Sequence, residues 1–517
     1  MQKKKIEMDE IKDNNFSKVF MFIVLAGILI RMIHISQPLL EGASTRQVET
    51  AMIARNFYHY GFNLFYPQVD IFGNNPGYLM QEFYIIPFIA ALFYKILGGV
   101  HEEVLRLISL FSYVLAVFMI YRLASYFYNR KVGMISAFCF TFSPLSIYLG
   151  RAVHPEMLMI FFIMATIYLF TRWVDEEKVK YGVLAALCFV MAVLLKVPNL
   201  YLLLPLFFIA FLKYRWDFIK RKGLWFFLIG AFIPIILFNY HQHLVRTEFP
   251  NPAMENFNIG NMIYYIKIYL TGKVFYKTSY ENLAGYTLTP IGFTLFALAL
   301  MLRVKEKREW LFHYWILAVA VFFLAIPAQS IQGYYQMHLL APASIMIGKL
   351  VSELQSSEFY RDRLIKKRYF LTLLIFLVLG IVFRYSYAYY KTPDNFKYVV
   401  ETGDAVKEVT EKDALVIASI ENGPDLVYYA ARKGWFFMIN RESLKEEEKR
   451  SGENTGKIYD RIKYLEHLRK EGAQYFASAS LKEFYGHERF SKYMLDHYRI
   501  AKKTSHFVIF DIKKQVK

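Results

Sequence analysis

Long apolar runs alternate with short polar segments along most of the chain. Runs that span a bilayer, or nearly do, begin near Val19, Val104, Val132, Met157, Tyr181, Leu200, Leu224, Thr289, Leu311, Gln336 and Tyr369. A helix needs about 20 apolar residues, and at least about 17, to cross the hydrocarbon core. The pattern therefore predicts a membrane-embedded, all-α polytopic bundle of about eleven transmembrane helices. A further apolar segment, Phe83–Gly98, is short and carries Pro87 and Lys95. Two regions break the rhythm. One is the polar stretch Gln37–Gly99, and the other is everything after about Thr392.

Charge decides whether Phe83–Gly98 crosses. Lys3, Lys4, Lys5, Lys12 and Lys18 precede the first run, so the positive-inside rule places the N-terminus in the cytoplasm. Basic clusters follow at Arg130–Lys131, Lys178 and Lys180, Lys213–Lys222, Arg303–Arg308 and Arg361–Arg368. If Phe83–Gly98 does not cross, all of them share the N-terminal side; if it crosses, all lie opposite. The segment is thus expected to lie along the outer interface as an amphipathic or re-entrant helix. Residues 37–103 become one extracytoplasmic loop with interfacial helices. The other outer loops are then Arg151–Glu156, Lys196–Asn199, about His241–Leu288 and about Gln329–Tyr335. Eleven spans starting inside also put the C-terminus outside.

The chain accordingly divides at about residue 390. Residues 1–390 form the transmembrane domain, and 391–517 a soluble extracytoplasmic α/β domain. In the latter, Ala414–Ile420, Trp435–Ile439, Ala473–Ala479 and His506–Ile512 read as short buried strands. Helical patterns, including Asp425–Arg432 and Lys457–Glu471, lie between them. No glycine-rich phosphate loop opens any of these helices, so no nucleotide site is assigned.

Composition agrees with the membrane assignment and narrows the partners. The 517 residues are 56% hydrophobic and 18% aromatic, too apolar for a soluble protein. A net charge of +19 invites nucleic acid as a partner, but the basic residues sit in short clusters between apolar runs, as in cytoplasmic loops. Nucleic acid is therefore not an expected partner. Cys139 and Cys188 lie inside apolar runs and support neither a disulfide framework nor a metal cluster. The lysine-rich start leads into an apolar run without an obvious small-residue cleavage site, and is read as an uncleaved first span. Internal repeats and low-complexity tracts are absent.

Candidate chemistry gathers on the outer loops. Thr45–Asn63 reads as a helix that Thr45 can cap, with Glu49, Met52, Ile53, Asn56 and Phe57 at helical spacing. Arg46 and Glu49 stand three apart and share a face. They are either a solvated ion pair, or a base for an acceptor hydroxyl beside a phosphate-binding guanidinium. Asp70, in a loop rich in turn formers, is a turn cap or a second active-site acid. Glu82 opens the interfacial helix, where the dipole favours a negative charge in any case. Arg151, His154 and Glu156 exceed what a short turn requires. Lys196 either snorkels to the interface or binds phosphate. Tyr334, Tyr335, Gln336 and His338 lie at the outer end of another span. Tight metal-ligand spacing is not seen, which neither shows nor excludes a metal. A transporter would place ionisable groups near the midplane, in two repeated halves. Ionisable groups at one interface instead favour chemistry on a lipid-borne headgroup.

The loop motifs RQVETAMIARNF, YPQVD and GYLMQEF resemble those of the C-type integral-membrane glycosyltransferases. That family includes the dolichyl-phosphate-mannose:protein mannosyltransferases and the lipid A aminoarabinose transferases. FSPLSIYLGRAVHPE, LLKVP, YYQMHLLAP and ARKGW extend the similarity over most of the chain. The resemblance implies a polyprenyl-phosphate-linked sugar donor and a glycan, lipid or protein acceptor. It also implies inverting single displacement at the outer face of the cytoplasmic membrane. A first-loop carboxylate would act as base: Glu49 stands where many relatives have Asp, with Asp70 and Glu82 as rivals and Glu41 a weaker one. Arg46, Arg151 and Lys196 would hold the lipid phosphate, with His154, Glu156, Tyr335 and His338 beside them. No cofactor is obligatory, because the phosphate is already a competent leaving group; a divalent metal stays open. The alternatives are a transporter or flippase of lipid-linked glycans, or a non-catalytic envelope scaffold.

Overall fold

The computed structural model describes residues 2–250, 259–356, 368–420, 423–439 and 460–516. Most of the Arg361–Arg368 cluster and the start of the Lys457–Glu471 pattern lie outside them. Helices stand at all the places the apolar runs predict. Among the described residues, six are long and apolar enough to cross a membrane, or up to seven if one bent pair counts as a single span. That pair, Lys273–Thr287 and Thr289–Leu300, is bent by 105°.

Local sequence explains two further breaks. The run from Val132 forms Arg130–Thr141 and then Pro144–Leu149, because Ser143 is extended (ψ 133°) ahead of Pro144. Asn129 caps the first piece and Ser143 the second. Val179–Leu195 ends at extended Lys196, two residues before Pro198, and a 3-10 turn, Val197–Leu202, leads into Leu203–Tyr214. Each break leaves polar side chains at a helix end.

The chain separates into two compact units. One comprises Met1–Ile35, Arg106–His241 and Tyr265–Tyr387, and is helical. Within it Glu156–Glu176 pairs with Val179–Leu195 as a helical hairpin, and Met337–Ser356 packs on Arg130–Thr141. Gly348 permits that second approach: a Cβ there would lie 2.4 Å from Ser136 Oγ and 3.0 Å from the Val132 carbonyl. Arg31, wholly buried in the first helix, donates to the carbonyls of Gly27 and Thr141 and to Ser146 Oγ, and lies 3.6 Å over the Tyr113 ring.

The second unit comprises Ser36–Leu105, Gln242–Tyr264 and Ala388–Lys517, so the first loop and the C-terminal segment belong together. Its sheet has the order β2-β1-β3-β5-β4, with β1 Val416–Ser419, β2 Gly434–Phe436, β3 Tyr475–Ser478, β4 Arg499–Lys503 and β5 Val508–Asp511. β1 runs parallel to β2 and β3, whereas β5 is antiparallel to β3 and β4. The four predicted strands are present. β4 escapes the pattern because it is a polar, largely exposed edge strand, the kind that resists further pairing. Phe437, Leu465, Phe476, Phe484, Phe490 and Phe510 fill the core beneath the sheet.

In the first loop, residues 45–63 do contain a helix, Ser44–Tyr60, but the expected cap is not used. Ala43 occupies the N-cap position, and no side chain caps it. Phe83–Gly98 contains Ile85–Leu97, whose 13 residues reach about 20 Å against a hydrocarbon core of about 30 Å. It buries Ile86, Ala90, Ala91 and Tyr94 and exposes Leu92, Phe93, Ile96 and Leu97. Its buried face packs on Ser44–Tyr60.

Candidate functional site

The charged residues singled out in the sequence fall into two groups, one in each unit. In the loop-bearing unit, the Ser44–Tyr60 helix carries Arg46 and Glu49 on one face, as the spacing predicts. The Arg46 guanidinium makes a close ion pair with Glu82 and donates to Gln81 Oε1 at 3.3 Å. Glu49 Oε2 lies 3.7 Å from Arg46 Nη1, beyond hydrogen-bond distance. Its side chain is 18% exposed. Burial raises the Glu49 pKa above the ordinary glutamate value; Arg46 opposes that shift, while Glu82 and Asp425 reinforce it. A carboxyl group held this way is a stronger base than a free glutamate.

Asp70 is placed differently. Its Oδ2 accepts from Arg55 at 2.8 Å and its Oδ1 from Asn56 at 2.9 Å. Arg55 also donates to the Tyr428 carbonyl at 2.7 Å, and Asn56 to the Gln68 carbonyl at 3.0 Å. The backbone is engaged too: Gly434 N–H donates to the Asp70 carbonyl, and Gly73 N–H to that of Gly434. Residues 70–73 are therefore tied to the start of β2 by two backbone hydrogen bonds. Asp70 is buried, and both its carboxylate oxygens are committed to holding this loop. Glu41 is also buried, at the foot of the helix, where its carbonyl accepts from Gln47. Arg246, which drew no attention in the sequence, donates to the Met80 carbonyl and ties the end of the helix Lys222–Glu248 to the segment before Glu82.

In the helical unit, His154, Glu156 and Lys196 converge. Glu156 begins its helix directly after Pro155, and its Oε2 lies 3.1 Å from His154 Nδ1. Its Oε1 accepts from Lys196 Nζ. Lys196 does not snorkel: its ammonium lies 4.2 Å from the Tyr335 ring centroid and 4.6 Å from that of Tyr334. His338, wholly buried, meets the Tyr201 hydroxyl through Nδ1 at 3.2 Å, and its Nε2 has no hydrogen-bond partner among the described residues. Arg151 holds the backbone. It is wholly buried and donates to the carbonyls of Ile33 and His34, closing the end of the first helix, while its own carbonyl accepts from Arg106. Arg31, Arg106 and Tyr201 were not picked out from the sequence, although an arginine inside the first apolar run was a readable signal. Among the described residues, no group of three or more His, Cys, Asp or Glu is arranged to hold a metal ion.

The chain is thus a multi-pass, mainly helical membrane protein with a group of acidic and basic side chains in each of two units. Its fold is shared with solved glycosyltransferase structures. Residues 84–241 match the family model described as dolichyl-phosphate-mannose-protein mannosyltransferase. The crystal structure of ArnT from Cupriavidus metallidurans bound to undecaprenyl phosphate superposes with a TM-score of 0.63 at 13% identity. That match covers 95% of this chain and 97% of ArnT. The archaeal oligosaccharyltransferase AglB from Archaeoglobus fulgidus, in complex with an inhibitory peptide and a dolichol-phosphate, gives 0.54 at 14% identity, covering 96% of this chain and 74% of AglB. The mycobacterial arabinofuranosyltransferase AftD gives 0.53 at 12% identity, covering 95% of this chain and 40% of AftD. No curated protein sequence matches the chain.

Proposed function

We propose that this protein transfers a sugar from a polyprenyl-phosphate donor to a protein, lipid or glycan acceptor at the outer face of the cytoplasmic membrane, with inversion in a single displacement. In this mechanism Glu49 removes the proton from the acceptor hydroxyl as it attacks the anomeric carbon. Lipid phosphate leaves, and its growing negative charge is met by a cation, Arg46 being the one we assign beside Glu49. Arg151 is then a structural arginine, whereas His154, Glu156, Tyr335 and His338 shape the surroundings of Lys196.

The observation that carries the assignment is the contrast among the first-loop carboxyl groups. Asp70 is hydrogen-bonded through both oxygens and Glu82 is closely ion-paired, whereas Glu49 keeps its nearest cation at 3.7 Å. A base must be able to take up a proton, and only Glu49 of the three can do so without breaking a short ion pair. The fold supports a lipid-phosphate donor, since ArnT binds undecaprenyl phosphate and AglB a dolichol-phosphate. We assign the first-loop platform to the outer face, a reading supported by the distribution of basic clusters and by the short Ile85–Leu97 helix, whose exposed apolar face suits an interfacial position.

Mass spectrometry of the glycolipids and glycoproteins of cells with and without the protein tests the function. One glycoconjugate should lose a single sugar unit in its absence and regain it with the wild-type chain but not with Glu49→Gln. An unchanged glycoconjugate profile would overturn the proposal.

A further inference from the structure

Asp425 is a buried acid that the proposed mechanism leaves unused. It belongs to the C-terminal segment, at the start of the short helix Asp425–Ala430, which packs against Ser44–Tyr60. The residue is wholly buried, and the polar groups that act on its carboxyl group are the Ser44 hydroxyl and its own backbone amide. Burial in a place with no cation beside it disfavours the charged form of a carboxyl group, so an acid at this position calls for a reason.

Its surroundings supply one. A Cβ on Gly423 would lie 2.4 Å from Thr45 Oγ1 and 2.9 Å from Asp425 Oδ2. Glycine at 423 therefore lets the Asp425 carboxyl group come close to Thr45. Thr45 and Glu49 are four residues apart on the same helix and share a face. The acid from the C-terminal segment thus approaches the same face of the helix as Glu49.

We propose that Asp425 is a positioning residue for sugar transfer, a second carboxyl group that acts through Glu49 and keeps it a competent proton acceptor. A neighbouring carboxylate in a poorly solvated place makes a second carboxyl group harder to ionise and so a stronger base. The groups that face Glu49 are Arg46 from its own helix, Glu82 and Tyr84 from the segment before Ile85–Leu97, and Asp425 from the C-terminal segment. Arg46 is the opposing charge, and it is already paired closely with Glu82. Around Asp425 itself, burial pushes the pKa up to about 6, which the Ser44 hydroxyl and the residue's own backbone amide only partly offset.

The inference rests on Glu49 as the base, and the experiment separates the two ideas. Transfer from a polyprenyl-phosphate sugar is followed against pH with the full-length wild-type protein, Asp425→Asn, Asp425→Ser and Glu49→Gln. Glu49→Gln should lose transfer; if it stays active, the base assignment and this inference both fall. With Glu49→Gln inactive, Asp425→Asn should move the acid limb of kcat/KM to lower pH by about one unit. Its kcat on the plateau should fall a few-fold, while KM for the donor stays unchanged. An acid limb that stays in place in both Asp425 variants overturns the inference and leaves the base assignment standing. If neither variant yields folded, monodisperse protein, Asp425 is a structural residue and the inference is equally overturned.

Discussion

Residue by residue, the acids of the first loop differ in what they are free to do. Glu49→Gln should lower the transfer rate by about 10²–10⁴-fold with little change in thermal stability, as removal of a general base does. Because burial raises the Glu49 pKa, the acid limb of kcat/KM should have its midpoint above the ordinary glutamate value, with activity rising as pH increases through it. A midpoint at or below the ordinary value would count against Glu49. Asp70→Ala should act on stability first, since it strips Arg55 and Asn56 of their shared acceptor; a loss of about 3–5 kcal/mol, read by thermal denaturation, is the expectation for breaking a buried pair. The sequence marks Glu49, Asp70 and Glu82 alike as acids on a polar loop. What separates them, Arg55 and Asn56 closing on Asp70 and Arg46 closing on Glu82, depends on how that loop folds back and is not written in any local spacing. The same holds for Asp425, whose neighbours Ser44 and Thr45 lie about 380 positions earlier.

Among the elements, the link between the first loop and β2 carries the greatest consequence. Gly434 has φ +159°, and a Cβ there would lie 1.8 Å from the Val416 carbonyl oxygen, so only glycine allows β2 to sit beside β1. The same residue donates to the Asp70 carbonyl and accepts from Gly73. Gly434→Ala should therefore loosen the strand and the loop together. The expected signs are faster limited proteolysis of the C-terminal segment and lost transfer, although residue 434 bears no reactive group. Strands rich in aromatic and β-branched residues were legible from their pattern, as was the Ser44–Tyr60 helix. β4 was not, because its charged residues conceal it. The breaks at Ser143–Pro144 and Lys196–Pro198 were only half legible: proline flags a break, but a single apolar run does not say that it will split into two helices.

For the whole molecule, the distribution of basic residues and the fold support the same account. The apolar runs announced a polytopic helical protein, and helices stand at each of them. The sequence placed a domain boundary near residue 390, whereas the contacts put Ser36–Leu105 in one unit with Ala388–Lys517. That grouping is built from long-range hydrogen bonds such as Leu39 N–H to the Tyr429 hydroxyl, and hydropathy carries no trace of those. Topology is open to direct test. In a chain with Cys139 and Cys188 replaced, single cysteines put in the Lys213–Lys222 segment should react only with membrane-permeant thiol reagents. Those put at Asn74 or at Lys502 should also react with impermeant ones. Labelling of all three from the same side would contradict the assigned orientation.

The central claim is sugar transfer from a lipid phosphate, and it is tested most directly by the fate of the lipid. Purified protein in vesicles, given a polyprenyl-phosphate sugar and an acceptor fraction, should release one polyprenyl phosphate for each sugar transferred. Glu49→Gln should release none. Movement of intact lipid-linked sugar across the vesicle membrane with no polyprenyl phosphate released would contradict the account and identify a transporter instead.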